Sequence, residues 1–158
     1  MASYRDAFRL ADPGDIVAVD QYTVFRLPAL RTSAAEARRR VLALLSEWGA
    51  DGETRDNTEL VVSELVTNAV CHTDSESIAC ELRLSGALLR LRVTDEGRPA
   101  APPCPGPGDT DGEGGRGLLL VEALSHAWGT ASAPEGPGHT VWVELPYALA
   151  PLARPRTA

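Results

Sequence analysis

Apolar positions along this chain recur with two periods, and each period marks an element. Val24-Phe25-Arg26-Leu27 reads as a strand stopped by Pro28. Ser33-Ala34-Ala35-Glu36 has the form of a capping box, with Ser33 as N-cap and Glu36 reaching back. Ala37, Val41, Leu44, Leu45 and Trp48 then follow at helical spacing, and Gly49 closes the helix. Asp56-Asn57-Thr58-Glu59 forms a second capping box, which predicts a helix over 57–72. The segments 78–84 and 88–93 alternate as strands, and Ser85-Gly86-Ala87 joins them as a hairpin. An apolar helix is expected from Leu118 to Leu124, a short strand at Trp128-Gly129-Thr130-Ala131, a turn at Gly136-Pro137-Gly138 and a last strand over 140–145. Between these elements, 98–113 is crowded with Pro and Gly and has no period, which marks a functional lid or a disordered segment. Residues 1–20, with the turn signal Asp12-Pro13-Gly14, are expected as a loose arm. The Ala/Pro/Arg-rich stretch 147–158 is expected as a flexible tail.

The helix over 57–72 is the informative one. Stepping about 100° per residue from Leu60 puts Val61, Val62, Leu65, Val66, Ala69 and Val70 on one half of the wheel. Ser63, Glu64, Thr67, Asn68 and Cys71 fall on the other half. Glu64 and Asn68 are one turn apart, so their side chains leave from one strip.

Composition narrows the chemistry. With 44% apolar and 23% charged residues in 158, the chain is of ordinary globular make-up and long enough for one domain. A net charge of −7 argues against sequence-independent binding to nucleic acid. All 15 basic residues are Arg, and the absence of Lys excludes a Walker A loop, the strand Lys of a eukaryotic-type protein kinase and Schiff-base chemistry. Cys71, Cys80 and Cys104 make an odd count with no C-x-x-C pair, which reads as reduced thiols in a cytoplasm. His72, His126 and His139 stand apart, with no spacing for a transition metal. No apolar run is long enough to span a membrane, and no basic-then-apolar leader is seen. Arg38-Arg39-Arg40 is expected as a solvated helix face, with a partner-binding role as the alternative.

Three pieces remain: Glu64-x-x-x-Asn68 on a helix, Asp95-x-Gly97 after a strand, and a glycine run ending at Gly117. Gly112-x-Gly114-x-x-Gly117 matches the dinucleotide pattern, but no strand leads into it. In order and spacing the set resembles the GHKL superfamily of ATP-binding domains, and within it the small bacterial anti-sigma-factor serine/threonine kinases and their stand-alone regulatory relatives. The residues that carry the resemblance run from about 20 to 146. Ser63-Glu64-Leu65-Val66-Thr67-Asn68-Ala69-Val70-Cys71-His72 is similar to the N box, and Asp95-Glu96-Gly97-Arg98-Pro99 to the first glycine box. Gly114-Gly115-Arg116-Gly117-Leu118-Leu119-Leu120-Val121 is similar to the second, and Gly138-His139-Thr140-Val141-Trp142 to the closing strand.

The resemblance implies an α/β fold, a two-layer sandwich of a mixed, mainly antiparallel sheet with helices on one face. It implies ATP and Mg²⁺, with Asn68 as metal ligand and Glu64 as general base. Asp95 would accept from the adenine amino group, and Gly97 would let the backbone pass close to the base. Gly115, Arg116, Gly117 and Leu118 would meet the phosphates at a helix N-terminus, and Thr140 would lie on the adenine side. Two departures stand out: Pro99 replaces the second glycine of the first box, and the lid has no Lys.

The implied function is a cytoplasmic protein kinase that binds a sigma factor and phosphorylates a serine on an antagonist protein, with a homodimer as a possibility. A binding module that holds ATP and sequesters a partner without phosphoryl transfer remains open, because it needs the same pocket. An ATP hydrolase or detached histidine-kinase domain is the further alternative; no phospho-acceptor His helix precedes the domain. A serine hydrolase using Ser63 is disfavoured, since Ser63 lies within a helix and not on a strand-to-helix elbow.

Overall fold

The computed structural model describes residues 20–72, 75–96, 113–132 and 138–151, with His72 and 113–118 by their backbone alone. Eight elements follow in chain order: β1 (Gln21–Pro28), α1 (Ser33–Glu47), α2 (Gly52–His72), β2 (Ser77–Ser85), β3 (Leu88–Thr94), α3 (Glu113–Leu124), β4 (Ala127–Ser132) and β5 (His139–Pro146). The strands form one sheet in the order β1-β2-β3-β5-β4. Every described pair in it is antiparallel, in keeping with the mixed, mainly antiparallel sheet expected, and no parallel pair occurs among the described strands. The reason is the path of the chain after β3. It passes through α3 to β4 at the far edge, and β5 then returns into the gap between β3 and β4, antiparallel to both.

Strict alternation gives the sheet two different faces. Ile78, Cys80, Leu82 and Leu84 of β2 stand opposite Leu27 of β1 and Val93, Leu91 and Leu89 of β3, and Val143 and Leu145 of β5 continue the same rows. This face meets the helices through Val41 and Leu45 of α1, Val61, Val62, Leu65 and Val66 of α2 and Val121 of α3, all essentially inaccessible to water. Each such side chain contributes roughly 1.5–3 kcal/mol by leaving water. Among the described residues no helix lies on the other face, where ion pairs and ring contacts cover the backbone. Arg92 pairs with Glu81 at 3.5 Å and Arg90 with Glu144 at 3.7 Å. Arg90 also stacks on Trp142, and Arg83 on Tyr22.

The helices lie side by side, α1 over β1, α2 over the sheet centre and α3 over β4, so α2 has a neighbour on each flank. Its start differs from expectation. The helix begins at Gly52, five residues before the predicted start, because Asp51 caps it: Oδ1 accepts the N–H of Thr54 at 2.8 Å. Asp56-Asn57-Thr58-Glu59 is therefore helix interior. Thr54 and Thr58 are buried core positions, and the Thr58 hydroxyl bonds back to the Thr54 carbonyl at 2.6 Å. At the α1 N-terminus the expected capping box is not formed. Ser33 is buried and donates to the Pro28 carbonyl, while the Glu36 carboxylate is taken by Arg39 and Arg40. These two arginines hold the Glu36 carboxyl well below its usual range, at about 2.

Cys71, placed on the polar half by the wheel, is buried. Cys80 is buried too, and burial pushes its thiol up to about 12, which rules it out as a nucleophile. The chain does not let go after Pro146, where the tail was expected to begin. Tyr147 is buried and donates from its hydroxyl to the Trp48 carbonyl at 2.7 Å. Leu149 bridges to Ala50, beside Gly49, whose φ of 80° ends α1. The expected arm (but for Asp20), the lid (but for Glu113) and 152–158 lie outside the described residues.

Candidate functional site

The two flanks of α2 are set apart by chemistry. On one, Arg38 of α1 donates from Nη1 to the Ser63 hydroxyl at 2.8 Å, so this flank faces α1. Arg38 is thus a strut between helices, while Arg39 and Arg40 hold Glu36 and Arg40 also stacks on Phe25 of β1. Glu64 stands about 100° and Asn68 about 140° further round the helix from Ser63. They face the other side, where α3 packs against α2. Both are half-buried. A carboxylate and an amide one turn apart thus share one strip, on the flank of α2 that faces α3.

Asp95 follows the last ladder pair of β3, Thr94 with Thr140. Its parity is that of Val93, which puts it on the helix side of the sheet. Its side chain is only 9% exposed. The pairing with β5 runs one step further, in a changed form. The Asp95 N–H donates to the His139 carbonyl at 3.0 Å, and the His139 N–H returns to Asp95 Oδ1 at 3.1 Å. The imidazole Nδ1 of His139 stands 3.7 Å from the same oxygen. The closing-strand motif contains His139, but its contact with Asp95 depends on a register that the sequence does not display.

Topology gathers these groups at one end of the sandwich. Chain direction puts the C-terminal end of α2 next to the start of β2, which pairs with the end of β3. β4 starts beside the end of β5, so α3, which runs back to it, has its N-terminus at the end where β3 finishes and β5 begins. The glycine run, expected just ahead of a helix, is part of it: α3 starts at Glu113 and takes in Gly115, Arg116, Gly117 and Leu118 in its first turns. Gly97 lies outside the described residues.

Thr140 sits elsewhere. It is buried on the face away from the helices, and its hydroxyl bonds to that of Thr94 at 2.9 Å. Its parity is opposite to that of Val141 and Val143, which point to the helices, so the expected adenine-side contact does not fit the sheet register. His139, one residue earlier, occupies that side.

Among the described residues no cluster of three His, Cys, Asp or Glu is set to hold a metal. Asn68 and Glu64 offer oxygen donors only, which fits a magnesium ion completed by phosphate oxygens and water, and does not fit zinc. Among the described residues no helix is long and apolar enough to cross a membrane.

Comparison with known proteins shows the family and the fold. The family described as "Histidine kinase-like ATPase domain" matches residues 27–145. In structure the chain is similar to the RsbU and RsbW domains of Rv1364c from Mycobacterium tuberculosis, with a TM-score of 0.60 and 22% identity over 80% of this chain and 32% of that one. This likeness is one of fold. A further match is the histidine kinase domain of the blue-light activated histidine kinase from Erythrobacter litoralis EL346. It has a TM-score of 0.40 and 26% identity over 76% of this chain and 61% of that one. The chain thus spans 32% of the length of the first and 61% of the second. No curated protein matches the sequence.

Proposed function

The chain belongs to the family of histidine kinase-like ATPase domains, and we propose that within it the protein acts as an ATP-dependent serine/threonine kinase of the anti-sigma type. It would bind a sigma factor and phosphorylate an antagonist protein, regulating transcription by partner switching. The observation that supports this reading is the gathering of Glu64, Asn68, Asp95 and the α3 N-terminus at one end of the sandwich. The fold likeness to a protein that contains an RsbW domain is in keeping with it.

Each group has a task that its position suits. Asp95, held through Oδ1 by the His139 N–H, accepts from the adenine amino group. The first turns of α3 offer backbone N–H groups and the positive end of a helix dipole to the phosphates. Asn68 would lend its amide oxygen to Mg²⁺, and the ion would neutralise charge on the transferring phosphoryl group. Glu64, on the same strip, takes the proton of the attacking seryl or threonyl hydroxyl as its oxygen bonds to the γ-phosphorus and ADP leaves. Gly97 beside the base, and Arg116 and Leu118 beside the phosphates, complete the proposed contacts.

The substitution Glu64→Gln separates binding from transfer. Binding of Mg-ATP, read by calorimetry, stays near wild type, because a near-isosteric change on a polar flank leaves the pocket in place. Phosphorylation of candidate antagonist proteins from γ-labelled ATP falls roughly 10²–10⁴-fold. A mutant that transfers at the wild-type rate removes Glu64 as the base. A wild type that binds Mg-ATP and phosphorylates no antagonist leaves a module that holds ATP and sequesters a partner.

A further inference from the structure

Asp95 and its neighbour Glu96 turn their carboxylates to opposite sides. That of Asp95 meets β5 at the His139 N–H. That of Glu96 turns to the entry of β2. Oε1 accepts the Ser77 hydroxyl at 3.1 Å, and Oε2 accepts the Glu76 N–H at 3.2 Å. The Glu96 N–H donates in turn to the Ser75 hydroxyl at 2.9 Å. Glu76 is itself held by the strand beyond, for its carbonyl accepts the Ala29 N–H at 2.9 Å. The Glu96 side chain therefore joins the exit of β3 to the entry of β2, and the Glu76 peptide ties that entry to the exit of β1. β2 itself begins five residues after α2 ends.

The place of this clasp gives it a consequence. The β2–β3 ladder ends at Ala79 with Thr94, so Asp95 stands just past the sheet, where a strand end frays unless other bonds hold it. β5 restrains Asp95 from one side and Glu96 restrains the next peptide from the other. Its two accepted bonds are charge-assisted, which makes them stronger than neutral ones. All three bonds of the clasp are open to solvent, so they add little to global stability.

We propose that Glu96 is a positioning residue for base recognition: it fixes the peptide after Asp95, and so the place where the Asp95 carboxylate meets the base. The inference rests on the reading of Asp95 as the partner of the adenine amino group. A carboxylate fixed in place tells an amino group on the base from a carbonyl oxygen, whereas one that wanders tells them apart less well. Preorganisation of this kind appears as affinity for the correct ligand alone.

The test measures the affinities of ATP and GTP by calorimetry, with thermal midpoints, for the wild type and for Glu96→Ala, Glu96→Gln and Asp95→Asn. In Glu96→Ala the ATP affinity falls about tenfold, the scale of one hydrogen bond to a charged group. GTP affinity and the thermal midpoint barely move, so the preference for ATP falls with it. Glu96→Gln, which keeps an acceptor for the Glu76 N–H, recovers affinity to within about threefold. Should Glu96→Ala fail to fold, Ser77→Ala removes one of the two donors and lowers the ATP preference by a smaller factor.

An ATP preference that Asp95→Asn loses and Glu96→Ala keeps overturns the role of Glu96 while leaving that of Asp95 intact. ATP and GTP affinities that fall together in Glu96→Ala mark a loosened fold and overturn it as well. A wild type with no preference for ATP removes the Asp95 reading, and the inference with it.

Discussion

The two ends of α2 belong to one helix and are finished in opposite ways. At the N-terminal end the polar groups of Asp51 and Thr54 have partners within the protein. Asp51 caps the Thr54 N–H, and the Thr54 hydroxyl accepts the Ala148 N–H at 3.1 Å. Asp51 donates from its own N–H to the Ala148 carbonyl, Ala150 donates to Gly49, and Tyr147 closes over Trp48. At the other end Glu64 and Asn68 lie half-buried at a helix boundary, near a carboxylate just past the end of a strand. The first end joins the C-terminal segment to the core. The second holds half-buried polar side chains on the flank of α2 that faces α3, where the proposed function has them gain more from a ligand than from folding. Changes at the closed end should therefore move stability and spare nucleotide binding, and changes at the open end should do the reverse.

Tyr147→Ala breaks the comparison most forcefully if it is wrong. The side chain is 7% exposed and its hydroxyl bond spans 99 residues of sequence. Removing a buried aromatic side chain costs about 3–5 kcal/mol. Urea unfolding should show this loss, while the ATP affinity of the folded fraction stays within about twofold, the noise expected of an independent site. A stability equal to wild type would mean that the chain does detach after Pro146.

Asp95→Asn is the counterpart at the open end. The amide oxygen still accepts the His139 N–H, so the unfolding midpoint should hardly shift. The amide nitrogen then faces a donor on adenine, and ATP affinity should drop by about 1.5–3 kcal/mol, with the preference for ATP over GTP lost. Equal affinities in mutant and wild type, read by calorimetry, would take Asp95 out of the site.

The same contrast explains which features could be read from the sequence. Strand alternation in 78–84 and 88–93 survives intact, because one face of each strand is packed and the other is not. The Glu64–Asn68 strip was legible for a like reason: it is local, and helix geometry alone fixes it. The start of α2 was not, since threonines at positions 54 and 58 fill core places where a periodic reading looks for aliphatic residues. Ser33 passed for a cap because its true acceptor, the Pro28 carbonyl, lies five residues back around a bend. The face on which Thr140 lies was not legible, because parity in β5 is set by its pairing with β3, not by the motif that contains it. Glu96 carries no local signal, as its partners lie 19 to 21 residues away on β2 and the segment leading into it.

Thr54→Val sharpens the comparison at smaller scale. The substitution keeps shape and removes the acceptor of the Ala148 N–H. A partly buried donor left with weaker hydration costs about 1 kcal/mol. Denaturant midpoints should record that loss with no change in nucleotide affinity. A fall in affinity instead would mean that the two ends communicate through α2.

The smallest effect is one of pH, at the cap itself. Hydrogen bonds from the Thr54 hydroxyl and then the Thr54 N–H hold the Asp51 carboxyl below its ordinary value, with Arg55 adding to the shift. A group whose acidity is raised by folding stabilises the fold while ionised. Its contribution is complete above the unfolded value of about 4 and is lost as pH falls through the lower folded value. Asp51→Asn still caps, as asparagine accepts the same bond, but carries no charge to lose. The wild type should therefore be slightly more stable than Asp51→Asn at neutral pH. The gap should narrow below about pH 4, where the carboxyl takes up its proton. Thermal midpoints of the two proteins from pH 7 to pH 3 test this directly. A gap that stays constant over the whole range would show that the cap works through its geometry alone, and that charge plays no part in closing this end of the helix.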